Sequence, residues 1–513
     1  MLTPFFNRVP PGIVEILHRY LDPVIQGGGA CILGFLVWKI MKIARHLTKP
    51  LPFTGPQGAP MVGVAFELDP NTALARMRSW IKQYGKTISF RVFTTTFIAT
   101  ANPDTIKKIL KDSNKSIIVR QLNTLNLLPK SGMFLTDGDD WKMNRRTVDP
   151  IMTEPNVRGM VPVMSQMANR LVKVTSALAD SSGMIHNWEP HRWLQLAALD
   201  FTVATHFGKD YNLLSPLAPH NVTDRDVSYK TFRNFLEGFD FMLKHTQLAP
   251  LMRNRYPFKL NQNVAKFYAA VEDVEKFSKQ IIEERLKALA EGATPACNIL
   301  DKLIFMGKRD LVWNLVTFTL SGGSSVPSTI EWFLYLMSVH QEAQKIARAE
   351  VDALGRAPSE NEDLDQLSYV EACILETLRM NNSTPGPLPY VTAKHCVIEG
   401  KSVEPGTVLI MMTGEAMKSE EQGGSEFKPE NWFLPDTKDI DRERARNHWA
   451  FTGSPRRCPG QHLAMKECIV MAATLLKHFD DIHFTIGYDN VEEKTFINRI
   501  PVNLQLSMKV RAP

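Results

Sequence analysis

Apolar side chains recur at helical spacing over Leu171 to Leu178, Phe267 to Leu289, Leu311 to His340, Ala343 to Leu354, Tyr369 to Met380 and His462 to Phe479, and each stretch predicts a helix. Thr87 to Thr100 and Cys396 to Met412 are instead short runs rich in β-branched and apolar residues, the second interrupted by a Pro405-Gly406 turn, and they predict strands. The pattern specifies a mainly α fold with a small β portion. Ahead of it, Gln26 is the only strongly polar residue from Val24 to Trp38, and Lys39, Lys42, Arg45 and Lys49 follow at once. A membrane span takes about 20 apolar residues, so this run reaches across only by extending to Ile43 with its lysines snorkelling to the interface. Residues 1–49 are therefore expected to be a membrane anchor with a basic flank. The positive charge after the apolar run opposes a cleaved signal peptide and places the body on the cytoplasmic side. Gly27, Gly28 and Gly29 weaken a span, and a buried helix is the alternative. Four prolines and two glycines in residues 50–60 forbid a helix and predict a stiff extended hinge before a body at 61–513.

Composition narrows the class. The chain has 513 residues, 44% hydrophobic and 22% charged, which is globular and ample for a large core. Length alone suggests several domains, but no linker, charge block or repeat divides the chain after residue 60, which favours one compact domain. A net charge of +6 is too mild for a nucleic-acid protein and is compatible with a basic patch for an acidic partner or with a scattered solvated surface. The six cysteines show no zinc-type spacing and are too sparse for a disulfide scaffold. A reducing compartment follows, with any special cysteine acting alone.

One cysteine is set apart by its neighbours. Phe451-Thr452-Gly453-Ser454-Pro455-Arg456-Arg457-Cys458-Pro459-Gly460 is a Gly/Pro-rich loop running into a helix that starts near Gln461, with Pro459 suited to the first helical position. At a helix entrance the unpaired N–H groups and the positive dipole end favour a thiolate. That environment serves a nucleophilic cysteine as well as a metal-ligating one.

Phe451, Arg456, Cys458, Gly460, Leu463, Ala464 and Glu467 together resemble the ligand loop of the cytochrome P450 family, with Ser454 where that family usually has glycine. The resemblance runs from residue 50 to 510. It implies a single cytochrome P450 fold and haem b, iron protoporphyrin IX, with the Cys458 thiolate as axial iron ligand and Phe451 beside it. Glu376-Thr377-Leu378-Arg379 resembles the family's Glu-x-x-Arg helix, whose spacing puts Glu376 and Arg379 on one face as a structural pair. Asp137 to Arg146 resembles the helix whose tryptophan and arginine bind a haem propionate. Trp141 and Arg145 stand one turn apart, and Arg456 is expected to add a second cation. Two further departures stand out. Asn431 replaces an arginine that completes the Glu-x-x-Arg network, and Tyr390 replaces a propionate-binding arginine.

Leu311 to His340 resembles the central helix over the distal haem face, yet its small-Gly-x-acid-Thr pattern becomes Ser321-Gly322-Gly323-Ser324-Ser325. Monooxygenation needs protons delivered to the dioxygen being cleaved while the thiolate pushes electron density. Ser325 keeps a hydroxyl for that relay and Ser324 has lost the acid, so these two are the candidate catalytic residues, and Pro327 weakens the helix ladder beyond them. The leading expectation is a monooxygenase of an apolar or amphipathic small molecule. It is fed by NADPH-cytochrome P450 reductase or a similar electron donor, at the endoplasmic reticulum membrane with the catalytic body cytosolic. Lys142, Arg146, Arg457 and Lys466 are the candidate docking patch. A peroxide-using isomerase, dehydratase or peroxygenase is the alternative that Ser324 motivates, and a non-catalytic haem sensor is the third. Val119 to Met133 and Phe232 to Met252 are the stretches expected to line the substrate pocket.

Overall fold

The computed structural model describes residues 49–513 apart from 70–71, 114–116, 121–131, 135, 211, 215–261, 297, 307–310, 385–388, 454, 486–490, 496–497 and 512–513. The expected anchor, Ser454, Phe232 to Met252 and most of Val119 to Met133 lie outside the described residues. Among the described residues no helix is long and apolar enough to cross a membrane.

Among the described residues the helices of eight residues or more are α1 (Ala73–Tyr84), α2 (Pro103–Ser113), α3 (Gly138–Val148), α4 (Val161–Ser176), α5 (Pro190–Phe207), α6 (Gln262–Ala290), α7 (Leu311–Val339), α8 (Gln341–Ala353), α9 (Ser368–Met380) and α10 (Gln461–His478). Five of the six predicted helices agree with these to within a few residues. The sixth, Leu171 to Leu178, is only the end of α4, which starts ten residues earlier with Pro162 in its first turn. The periodic signal did not pick out α1, α2 or α5; α5 is buried on nearly every side from Leu194 to Phe207 and shows no polar face.

Helix α7 is the axis of the molecule. It packs against α5, α6, α9 and α10, and Trp313, Leu315, Val316, Ile330, Phe333 and Met337 along it are almost fully buried. Pro327 lies inside it, yet the helix runs unbroken from Leu311 to Val339; packing on all sides holds the turn that loses one N–H donor. Asn314 on α7 accepts from the Met133 N–H at 3.1 Å and donates to Asn144 of α3 at 3.1 Å, tying that loop and α3 to the axis.

The five-stranded sheet sits around two smaller apolar cores, while the sheet formed by residues 184–188, 479–484 and 506–510 packs into the main helical core. Within the run expected to be strand, β1 (Thr87–Val92) and β2 (Thr95–Thr100) form an antiparallel hairpin, joined to β3 (Ile118–Arg120), β5 (Tyr390–Thr392) and β8 (Val408–Met411) in the order β1-β2-β8-β5-β3. The β4 strand (Met184–Trp188) belongs with β9 (Phe479–Phe484) and β12 (Leu506–Val510) in a second sheet, while β6 (Cys396–Ile398) with β7 (Lys401–Val403) and β10 (Glu492–Thr495) with β11 (Arg499–Val502) make two-stranded ribbons. Gly406 closes the Pro405-Gly406 turn at φ 84°, a conformation a side chain resists. The proline-rich stretch is extended and docked on β1: the Phe53 N–H donates to Ser89 Oγ at 3.0 Å, Ser89 donates back to the Phe53 carbonyl at 2.6 Å, and a Cβ at Gly55 would come within 2.2 Å of the Ser89 carbonyl oxygen.

Candidate active site

The cavity between α3, α5, α7, α9 and the loop before α10 has a volume of about 390 Å³ and opens in part to solvent, which falls within the roughly 300–1,000 Å³ of a small-molecule or cofactor site. Every residue the sequence singled out as cofactor-binding or catalytic lines this space: Trp141, Arg145, Phe451, Arg456 and Cys458 on one side, Ser324 and Ser325 of α7 on the other.

The cysteine loop is held by its own backbone. The Cys458 N–H donates to the Phe451 carbonyl at 2.8 Å and Thr452 Oγ1 donates to the Arg456 carbonyl at 3.0 Å, closing the turn that presents the thiol. Cys458 is exposed in the cavity wall, whereas Cys373, Cys396 and Cys468 are buried; none of the four is in a disulfide. Helix α10 begins at Gln461 with Gly460 as its cap. Pro459 therefore stands in the preceding turn and not at the first helical position, because the chain needs one more non-helical residue to bring Cys458 round to the cavity.

Trp141 and Arg145 project from α3 as expected. The Arg456 guanidinium lies 4.1 Å from the Trp141 ring centroid, donates to the Thr136 carbonyl at 2.8 Å and pairs with Asp137. Arg145 pairs with Asp149 at 2.6 Å and donates to the Arg457 carbonyl at 2.5 Å, which ties α3 to the cysteine loop. A thiol on one wall with two guanidiniums and an indole beside it fits a metalloporphyrin carrying acidic side arms. Arg456 already shares its charge with Asp137, so it would offer a carboxylate less than an unpaired cation offers.

Behind the loop, Glu376 and Arg379 of α9 are almost fully buried and form a two-bonded pair, Nε and Nη2 each 2.8 Å from a carboxylate oxygen. A buried pair stands only when every remaining donor and acceptor is met. Here Glu376 also accepts from the Lys428 N–H and from Trp432 Nε1, both at 2.8 Å, while Arg379 donates to the carbonyls of Met417, Gly424 and Glu426. The third arm is thus the Trp432 indole. Asn431, where the sequence placed the missing arginine, meets Arg444 only through its backbone carbonyl, at 2.5 Å, and the Arg444 guanidinium lies 4.8 Å over the Trp432 ring. No motif marks Arg444; it arrives from a short helix, Arg442–Arg446, that the linear pattern leaves anonymous.

Two expectations shift. Tyr390 is buried in the β core and the cavity is reached instead by Pro389, since the tyrosine side chain follows the strand alternation inward. Of the candidate docking cations, Lys142 and Arg146 are exposed, but Lys466 is largely buried and paired with Glu154 at 3.0 Å, and Arg457 is half-buried against Gln461. On the distal side the hydroxyls of Ser324 and Ser325 donate to the carbonyls four residues back, Leu320 at 2.7 Å and Ser321 at 2.8 Å. Burial pushes the Glu467 carboxyl, another residue lining the cavity, well above the ordinary range.

A family model described as Cytochrome P450 matches residues 53–494. The chain belongs to the cytochrome P450 family. Among similar proteins are Cytochrome P450 4e2 of Drosophila melanogaster, 22% identical over 479 residues that cover 88% of this chain and 86% of the relative, and Cytochrome P450 2J3 of Rattus norvegicus, 21% identical with 89% and 88% covered. Tryptamine 4-monooxygenase of Psilocybe cyanescens is 24% identical, with 85% and 87% covered. This chain is accordingly a haem-iron monooxygenase of the cytochrome P450 family, acting on a small substrate with electrons from a redox partner.

Proposed function

We propose that the cavity holds haem b with the Cys458 thiolate as its axial ligand, and that the enzyme oxidises an apolar or amphipathic small molecule with electrons from an NADPH-dependent reductase. The observation that carries this reading is the position of Cys458, exposed in the wall of a large cavity whose opposite wall is α7. Bound haem supplies dioxygen activation, which a thiolate ligand favours by donating electron density. The protein supplies the rest. Trp141, Arg145 and Arg456 orient the acidic edge of the cofactor, and Phe451 packs beside the ligand loop. The Glu376–Arg379 network fixes α9 against the segment behind that loop. Phe201, Phe318, Leu320 and Val326 give the guest side an apolar wall that excludes bulk water.

Ser324 and Ser325 are the distal hydroxyls of this reading. Each gives its proton to a backbone carbonyl and keeps its lone pairs for a water or guest. We place the body on the cytosolic face of the endoplasmic reticulum, with residues 1–49 as anchor, 50–60 as connector and 61–513 as catalytic domain; Lys39, Lys42, Arg45 and Lys49 after the apolar run support that orientation. Exposed Lys142 and Arg146 are the cations of the four best placed to meet an acidic reductase.

The test is a reduced-CO difference spectrum followed by turnover. A Soret band at the thiolate position and product formation with NADPH, reductase and dioxygen support the reading. Turnover on added hydroperoxide alone, with none on NADPH and reductase, overturns the reductase-fed part, and a band at the histidine position overturns the ligand. Spectral titration with small amphipathic molecules, tryptamine among them, then identifies the guest.

A further inference from the structure

The distal wall has a shortage of proton donors. Ser321, Ser324 and Ser325 donate to Thr317, Leu320 and Ser321 carbonyls at 2.7 to 2.8 Å, and Thr317 likewise donates to Trp313 at 2.7 Å. Such back-bonding is the ordinary fate of a hydroxyl in an apolar helix. It leaves α7 facing the cavity with oxygen lone pairs and no carboxylic acid in the position of Ser324. A water touching only acceptors spends both its hydrogens on them and has its own lone pairs unmet, so a nearby donor would hold it more firmly.

A donor stands beside α7 on the neighbouring helix α5. His206 is 2% exposed, lines the cavity, and has a buried Nδ1 with no partner among the described residues. Its ring meets Phe318 edge-on at 5.8 Å between centroids, and its Cε1 would lie 3.8 Å from a Cβ built on Gly322. Phe318, Gly322 and Ser325 follow one another at four and three residues along α7, so His206 faces the stripe that carries Ser325. Thr202, one turn earlier on α5 and also lining the cavity, has its Oγ1 3.2 Å from the same Cβ position. Gly322 is what keeps this notch open; a Cβ there would crowd Thr202 Oγ1 and come into contact with His206. Nothing in the apolar packing of α5 calls for an imidazole at this point, and of its two ring nitrogens only Nδ1 is both sealed off and unpartnered among the described residues, which leaves Nε2 to meet a guest.

We infer that His206, with Thr202 beside it, is the positioning residue that supplies the hydrogen-bond donor missing from α7, holding water at the Gly322 notch where the lone pairs of Ser325 can accept. With Nδ1 dry, Nε2 is the nitrogen left to reach that water. Burial depresses the imidazole pKa to about 3, so the ring is neutral at physiological pH and acts as a donor without bringing a charge into the apolar pocket. This assignment rests on haem occupying the cavity.

Carbon monoxide on the reduced holoenzyme is the probe, read by infrared spectroscopy. A donor near the bound ligand lowers the C–O stretching frequency, and a donor that exchanges its proton makes the band sensitive to D2O. The expected result is a wild-type band that moves in D2O, a shift to higher frequency with loss of that sensitivity in His206→Phe, and retention of the wild-type band in His206→Gln, which keeps an N–H. Thr202→Val should move the band in the same direction by less. A wild-type band indifferent to D2O, or one unchanged in His206→Phe, overturns the assignment. If His206→Phe fails to load haem, the D2O response of the wild type and of Thr202→Val decides in the same way. The Soret position in the same samples reports the thiolate separately, so failure of the ligand reading and failure of this one are distinguishable.

Discussion

The two walls of the cavity are built on opposite principles. On the cysteine side the loop and the ion pair behind it are matched: the loop closes through Cys458 N–H to the Phe451 carbonyl, Arg145 bonds the Arg457 carbonyl, and Glu376 accepts four hydrogen bonds, while Glu467 Oε1 and both ring nitrogens of His448 are buried without a partner among the described residues. On the side of α7 and α5 the hydroxyls are turned back on their own helix and the imidazole of His206 is left over. The first wall is preorganised as folded, whereas the second is completed only by what it receives. A rigid ligand loop fixes where the chemistry happens, while a wall of unspent acceptors and one donor leaves water and guest to decide how protons arrive.

The largest expected effect comes from removing the one group the first wall exists to present. Cys458→Ala should abolish the thiolate-type reduced-CO band and NADPH-driven turnover altogether. Because Cys458 is exposed and its bond to Phe451 is made by the backbone N–H, the thermal unfolding of the haem-free chain should hardly change. Retention of that band in the variant would show that another residue binds the iron.

Next in size is Glu376→Gln. The substitution leaves the buried Arg379 charge without its counter-ion and costs about 3–5 kcal/mol, the range for breaking a buried pair from one side. Urea denaturation should show this as a lower midpoint at unchanged slope. A change under about 1 kcal/mol would mean that the carbonyls of Met417, Gly424 and Glu426 suffice to hold the guanidinium, a small value on the scale of burying an unpaired charge. Trp432→Phe should cost less, about 1–3 kcal/mol, because it removes a single donor from a buried carboxylate. Asn431→Ala should lie within about 0.5 kcal/mol, since its backbone and not its side chain meets Arg444. If the order of those two is reversed, the third arm of the network is Asn431 after all.

Periodicity made the helical runs of α6 to α10 legible, among them α8 with its wet face and α9 with almost none. It did not pick out α1, α2 or α5; in α5 burial on nearly all sides leaves no polar face, whereas α1 and α2 are short amphipathic helices that the pattern passed over. The site was legible in its motifs: Cys458, the Glu376–Arg379 pair, Trp141 and Arg145 all stand around one cavity or directly behind it. Three-dimensional substitution hid the rest. An arginine missing at position 431 is answered by an indole one residue on and a guanidinium thirteen residues on, and the acid missing at position 324 left no trace along the chain of a donor on a different helix. Spacing reports residues that act from one element; it is silent where two elements meet.

The finest test of the comparison uses pH, and its effect is near zero at neutrality. His448 is buried edge-on against Trp432, 5.0 Å between ring centroids, with neither ring nitrogen partnered among the described residues. Burial, with Arg379 and Arg444 nearby, depresses its pKa to about 3. Above the ordinary histidine value of 6.5 the ring is neutral in folded and unfolded chains alike and pH has no leverage. As pH falls below 6.5 the unfolded chain takes up a proton that the folded chain refuses until about pH 3, so stability is lost across that window. One proton corresponds to about 1.4 kcal/mol per pH unit. His448→Phe keeps the edge-on ring contact and should flatten the acid limb by that one-proton slope while leaving the pH 7 midpoint almost unmoved. His206→Phe, whose imidazole is depressed to about 3 by burial alone, should remove a second such slope in the haem-free chain. The two variants part company once haem and water fill the cavity: a partnered imidazole binds its proton more readily, so the acid limb attributable to His206 should shrink in the holoenzyme and that of His448 should not. Equal limbs in both forms would mean that the second wall is as complete when empty as the first.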